Sequence, residues 1–328
     1  MLARLSWGFA TLVFIILLGV CAMALWYRLP IGWQGIGTSV WLLASISLIT
    51  FVTLSSQSKT RKILAALIPL AAIAIWWSQI QPSNARSWTP ELAQSVTGDV
   101  HGSQVTLHNV RDFDWHGPTS FTPRWITETY DLDKLDTLEV FLSYWGNPAI
   151  AHTLVSFGFS DGQQIVFSVE IRKEDGEDYS ELGGFFKSFE LSLIAATERD
   201  ILFLRTNARD PIEDVYRYVL DVQAEPSKEL FLSYVALAND LAERPRWYNT
   251  ATTNCTTVIY RLVKSFNPDV SFDWRILVSG YLPEFFAENG QLKWPPATAP
   301  LRATAHITPL VQGIKTSQGY SEAIRATQ

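Results

Sequence analysis

His152-Thr153-Leu154-Val155-Ser156-Phe157-Gly158-Phe159-Ser160-Asp161-Gly162-Gln163-Gln164-Ile165-Val166-Phe167-Ser168-Val169-Glu170-Ile171-Arg172 reads as a β-hairpin, and its register governs how the rest of the soluble chain is read. Thr153, Val155, Phe157 and Phe159 form one face of the first strand, and Ile165, Phe167, Val169 and Ile171 form the apolar face of the second. Alternation with period two is the signature of a strand. Both apolar sets are odd-numbered, so they share a side of the sheet only if odd residues oppose odd residues. The three-residue loop Ser160-Asp161-Gly162 achieves this, with Gly162 in the left-handed position such loops require. Phe159 then opposes Gln163, and continuing the ladder sets His152 opposite Glu170. Both point to the less apolar face, with Ser156 and Ser168 nearby. A carboxylate beside an imidazole fixes its tautomer and stabilises the imidazolium, the orienting role in a catalytic triad. An ordinary His–Glu pair on an exposed sheet face would carry the same sequence.

Outward from the hairpin, residues 138–144 and 201–206 also read as strands, and residues 230–241 and 256–266 have helical spacing of apolar residues. The soluble part is therefore α+β, an antiparallel sheet with packed helices. The second helix is preceded by Arg246-Trp247-Tyr248-Asn249-Thr250-Ala251-Thr252-Thr253-Asn254-Cys255. Pro245 and the turn-forming residues after it exclude a continuous helix there, and Asn267-Pro268 stops the helix at its far end. Thr253 or Asn254 suits the N-cap. Cys255 then falls in the first turn, where the helix dipole and unpaired N–H groups favour a thiolate and could hold an oxyanion. A lone cysteine can equally be a small buried hydrophobe.

The first quarter of the chain is different. No charged residue lies between Arg4 and Arg28, between Arg28 and Lys59, or between Lys62 and Arg86. These windows hold three apolar runs, residues 5–27, 37–54 and 63–79, each long enough at ~1.5 Å per residue to cross a ~30 Å hydrocarbon layer. Trp26, Tyr27, Trp76 and Trp77 stand at span ends, where amphipathic rings favour the headgroup layer. Arg4 and the group Lys59, Arg61 and Lys62 lie on one face, which the positive-inside rule makes cytoplasmic. The expected division is a membrane domain of three transmembrane helices at residues 1–82 and an exported α+β domain at residues 83–328. Cys21, inside the first run, reads as a buried span cysteine.

Composition narrows the function. Of 328 residues, 48% are hydrophobic and 18% charged, with a formal net charge of -6. Nucleic acid is not expected as a partner, because phosphate recognition needs a basic footprint. Two cysteines far apart, Cys21 and Cys255, make no disulfide framework. His101, His108, His116 and His306 lack metal-ligand spacing, so no metal or other cofactor is expected.

Several blocks resemble one family. Ala151-His152-Thr153, the run 156–162, Ser168-Val169-Glu170-Ile171-Arg172-Lys173-Glu174, Gly183-Gly184-Phe185-Phe186, Glu198-Arg199-Asp200, Arg205-Thr206-Asn207, Tyr248-Asn249-Thr250 and Asn254-Cys255-Thr256-Thr257 are similar to the periplasmic domain family named after Lnb, the bacterial lipoprotein N-acyltransferase. They occur in the family's order over roughly residues 111–292. The order His, acid, Cys is also similar to permuted papain-like enzymes, which include lecithin:retinol acyltransferase and relatives of the NlpC-type peptidases.

The resemblance implies a permuted papain-like fold with Cys255 as nucleophile and His152 as base. Glu170 as orienting acid rests more on the hairpin register. Tyr248, Asn249 and Asn254 would shape the site, and Arg172 would pair with Glu170 or Glu174 or meet a phosphate. It further implies a multi-pass protein of the bacterial inner membrane with its C-terminal domain in the periplasm. The expected activity is thiol-dependent acyl transfer from a membrane phospholipid to the amino terminus of a lipoprotein or other envelope protein. Hydrolysis of an envelope peptide or peptidoglycan amide, or a non-catalytic interaction module, are the alternatives. Trp145, Trp247 and Phe285 are candidates for either core or acyl contact, with core favoured.

Overall fold

The computed structural model describes residues 2–296 and 298–326. It divides into two units, Met1–Ser83 with Tyr179–Phe189, and Asn84–Asp178 with Glu190–Gln328.

The first unit holds helices α1 (Leu2–Arg28), α2 (Gln34–Leu54) and α3 (Lys59–Gln79). Two stretches, Gln34–Leu54 and Thr60–Gln79, are long and apolar enough to cross a membrane. The apolar stretch of α1 that qualifies for this test, Leu12–Arg28, is shorter. Two candidate spans therefore stand where three are expected, because most side chains before Leu12 lie outside the described residues.

The excursion Tyr179–Phe189 belongs to this unit, which sequence reading does not anticipate. Phe186 stacks on Tyr27 at 5.5 Å between ring centroids. Arg28 Nη1 donates to the carbonyl of Lys187 at 2.9 Å, and Lys187 Nζ donates to the carbonyls of Trp77 and Ile80.

The second unit is built on a nine-stranded mixed sheet. Its strands are β1 (Thr97–His101), β2 (Gln104–Arg111), β3 (Trp125–Asp131), β4 (Leu135–Tyr144), β5 (His152–Phe159), β6 (Gln164–Arg172), β7 (Glu190–Ala196), β8 (Asp214–Leu220) and β9 (Leu292–Trp294). The spatial order is β1-β2-β7-β6-β5-β4-β8-β9, with β3 also paired to β2. Among the described residues only the β2–β7 contact is parallel, so the expected antiparallel sheet becomes a mixed one. The helices are α4 (Glu198–Phe203), α5 (Ala224–Glu243), α6 (Cys255–Phe266) and α7 (Leu282–Glu288), followed by short C-terminal turns.

The β5–β6 hairpin has the register the sequence dictates. Leu154 pairs with Ser168 and Gly158 with Gln164, and the Phe159 N–H donates to the Gln163 carbonyl. Gly162 closes the loop at φ +91°, a conformation cheap only for glycine. The odd-numbered side chains Val155, Phe157, Phe159, Ile165, Phe167 and Val169 enter a core covered by α5 and α6. Phe231 of α5 sits at its centre, edge-on to Phe157, Phe159 and Phe167, while Tyr234 stacks on Phe167 at 4.7 Å.

The even-numbered face is not exposed, contrary to the surface-pair alternative. Leu154, Val166, Ile194 and the α4 residues Ile201, Leu202 and Phe203 form a second core there. Residues 201–206 supply that cover as the end of α4 and one wide turn, Leu204–Ala208, rather than as a strand. A short apolar run buried on all sides has the same composition in either conformation. Thr197 in extended geometry, with Glu198 and Asp200 in the first turn, starts a helix here.

Candidate active site

Cys255 is the first residue of α6, and Asn254 is the cap. Asn254 Oδ1 accepts from the Thr257 N–H at 2.9 Å, and Thr257 Oγ1 accepts in return from the Asn254 N–H at 2.9 Å. This reciprocal capping box fixes where the helix begins, and so the direction in which the Cys255 side chain leaves the backbone. Asn254 Nδ2 also donates to the Thr250 carbonyl at 2.8 Å, tying the preceding loop to the cap. Asn249 shapes that loop. Its Oδ1 accepts from the N–H groups of Ala251 and Thr252, and its backbone bridges to Thr253.

Helix α6 packs on β5 and β6, which brings Cys255 to the start of β5. There the thiol comes near enough to His152 and to the Thr153 backbone N–H for both to lower its pKa. His152 Nε2 is 2.7 Å from Ser168 Oγ and 3.1 Å from Glu170 Oε1. Ser168 Oγ in turn donates to Glu170 Oε1 at 2.7 Å. A hydroxyl that gives its proton to the carboxylate can only accept from the ring, so Nε2 carries a hydrogen. Nδ1 is then the ring nitrogen that can take up or give up a proton.

The electrostatics follow from this arrangement. Burial pulls the His152 pKa down, but the charge and contact of Glu170 and the neighbouring Cys255 outweigh it and push it up to about 9. Burial pushes the Cys255 thiol up, yet the neighbouring His152, with its positive charge, and the Thr153 N–H bring it below its ordinary value. Burial likewise opposes ionisation of Glu170, and His152, Arg205 and Ser168 together hold its carboxyl well below the usual range. A thiolate–imidazolium pair is the state these shifts favour. Such a pair can attack an electrophilic carbon and then return a proton to the leaving group.

Arg205 is the residue that sequence reading leaves without a role. It is buried, with Nη2 donating to Glu170 Oε1 at 2.9 Å and Nη1 to the Ile201 carbonyl at 2.8 Å. Glu213 lies 3.8 Å from its Nε. The only sequence signal was its place in Arg205-Thr206-Asn207, and the strand assignment there concealed which way it points.

The remaining expected site residues fall elsewhere. Arg172 pairs with neither Glu170 nor Glu174. Its guanidinium donates to the carbonyls of Leu92 and Ala93 and to Asn84 Oδ1, and lies 4.4 Å from the Trp88 ring centroid. With its donors so used, it fixes the entry of the chain into the second unit. Glu174 pairs with Arg86 instead. Tyr248 packs against the first core, as Cys255 also does. Asp200, from another of the resembling blocks, is buried and bonded to Arg111, Trp115 Nε1 and the Phe113 N–H, a framework role. Trp145 is 41% exposed and so is not a core residue.

Residues 121–280, a little under half of the chain, match the family model described as the Lnb N-terminal periplasmic domain. Comparison with curated proteins and with solved structures finds no match.

Proposed function

We propose, from the premise that residues 121–280 belong to the Lnb N-terminal periplasmic domain family, that this membrane-associated periplasmic protein is a cysteine acyltransferase. The reading rests on one observation: the thiol of Cys255, at the start of α6, lies beside the His152 imidazole, whose Nε2 is held by Ser168 and Glu170.

In this reading His152 takes the Cys255 proton and the thiolate adds to the ester carbonyl of a phospholipid. N–H groups of the first turn of α6 and of Thr153 stabilise the oxyanion. Collapse breaks the ester C–O bond, His152 protonates the departing lysolipid alkoxide, and the acyl group remains on sulfur as a thioester. An acceptor amine, the amino terminus of a lipoprotein, then adds to the thioester. His152 removes its proton, and the C–S bond breaks to release the amide and regenerate the thiolate.

The setting supports a lipid donor, since the chain carries two candidate membrane helices and a periplasmic domain. With α1 as a third span, Arg4, Lys59, Arg61 and Lys62 all lie on the cytoplasmic side and the second unit lies outside. That is the multi-pass inner-membrane topology we favour.

The test uses the full chain in vesicles holding phospholipid with a labelled acyl chain, and a lipopeptide with a free amino terminus. Label moves to the peptide with wild-type protein and not with Cys255→Ser or His152→Ala. Label released only as free fatty acid would replace transfer by hydrolysis. Transfer retained by Cys255→Ala would remove the thioester.

A further inference from the structure

Two loops flank the paired Cys255 and His152, and they are interlocked. One, residues 145–151, joins β4 to β5 and ends at His152. The other, residues 272–281, follows α6. Ala151 donates its N–H to Ser279 Oγ at 3.0 Å, and Ser279 Oγ donates back to the Ala151 carbonyl. The Gly280 N–H donates to the Ala149 carbonyl at 3.0 Å, and the Gly280 carbonyl accepts from Tyr144 Oη at 2.8 Å. A Cβ at Gly280 would sit 2.1 Å from the Pro148 carbonyl oxygen, so only glycine permits this approach. The second loop is also fastened to the nucleophile's helix, because Thr256 Oγ1, next to Cys255, donates to the Ile276 carbonyl at 2.6 Å.

These loops carry an unusual share of exposed apolar surface. Trp145 and Ile150 on the first, with Phe272, Trp274 and Leu277 on the second, are between 36% and 59% exposed. The other large hydrophobics exposed among the described residues of this unit, Val100, Ile212 and Leu310, are on separate elements. Apolar side chains gathered at one site on a rigid support mark an interaction surface. Tryptophan among them suits the boundary between headgroups and acyl chains.

We infer that this rim seats the site on the bilayer, with Trp145, Ile150, Phe272, Trp274 and Leu277 entering the acyl-chain boundary of the leaflet facing the domain. The occupant is the chain's own membrane lipid rather than a second protein. Continuity argues for this. Asn84, the first residue of the second unit, accepts from Arg172, and the chain leaves this unit at Asp178 and re-enters at Glu190, which pairs with Arg172 in the sheet. Every crossing from the unit that holds the membrane helices thus enters at the strand ends that carry His152 and Glu170. The inference goes beyond the acyl-transfer reading and does not need turnover.

The test is tryptophan quenching by phospholipid brominated on its acyl chains, with the full chain reconstituted in phosphatidylethanolamine–phosphatidylglycerol vesicles. Trp145→Phe and Trp274→Phe keep an aromatic ring at exposed positions and each removes one of thirteen tryptophans. The emission lost in each variant is expected to be quenched in the wild type, whereas the emission lost in Trp115→Phe, a buried site, is not. Cys255→Ala should give the wild-type quenching, which separates this surface from the chemistry. If the emission assigned to Trp145 and Trp274 is as resistant to brominated lipid as that of Trp115, the rim does not enter the bilayer and the inference fails.

Discussion

Glu170 Oε1 stands 3.1 Å from His152 Nε2 and 2.9 Å from Arg205 Nη2, so one carboxylate oxygen joins the imidazole to a buried guanidinium. Glu170→Gln removes the largest of the influences that keep the ring protonated, leaving Cys255 alone to oppose burial, so the ring's pKa should fall. Acyl transfer should fall by about 10²–10⁴-fold. Stability should fall by about 1.5–3 kcal/mol, as Arg205 loses a charged partner but keeps the Ile201 carbonyl. Arg205→Met reaches the imidazole through Glu170, and also removes the bond to the Ile201 carbonyl and the charge beside Glu213. It should shift the pH profile of transfer while the bound-lipid KM stays near that of the wild type, and kinetics across pH will separate this from general loss of fold.

Asn254→Ala deletes the helix cap and the tie to Thr250. Loss of a cap costs about 1 kcal/mol. The functional effect should exceed that, because the cap sets where Cys255 leaves the backbone. Denaturation midpoint and transfer rate measured on the same preparation will show activity falling further than stability does.

Phe231→Ala opens a cavity against three phenylalanines of the hairpin, at a side chain with no exposure. The cost should be about 3–5 kcal/mol, read from urea unfolding of the second unit's near-ultraviolet signal.

Stability should depend on pH in a defined window. His152 has its pKa raised from 6.5 to about 9, so its contribution is full below about 6.5 and is lost as pH rises through about 9. Glu170 has its pKa lowered, so its contribution is present above the ordinary value of 4.5 and is lost as pH falls toward its depressed value. The stability difference between wild type and His152→Asn should therefore be largest near pH 6 and shrink above pH 9, as followed by thermal unfolding across that range.

Local pattern made much of this site legible. The parity of apolar residues in the hairpin fixed its register, and Ser160-Asp161-Gly162 fixed the loop, so His152 and Glu170 could be paired from sequence. The start of α6 was readable because Asn254 and Thr257 form a cap from adjacent residues. Features that depend on packing were not. Residues 201–206 are uniformly buried and carry no period to separate strand from helix, which hid Arg205. Arg172 looked available because nothing in its neighbourhood shows that the carbonyls of Leu92 and Ala93 come to it. The excursion Tyr179–Phe189 has turn-like composition, and its docking on Tyr27, Arg28 and Trp77 is what places it with α1 and α3.

The pairing of Cys255 with His152 is most directly tested by titrating the thiol. Full-length protein is alkylated with iodoacetamide across a pH series, and modification of Cys255 is read by peptide mass spectrometry. The rate should follow a thiolate formed below the ordinary thiol value of 9.0, and the curve should move to higher pH in His152→Ala, where only the Thr153 N–H is left to oppose burial. Identical curves in the two proteins, or a Cys255 that stays unmodified at every pH where the chain is folded, would contradict the account.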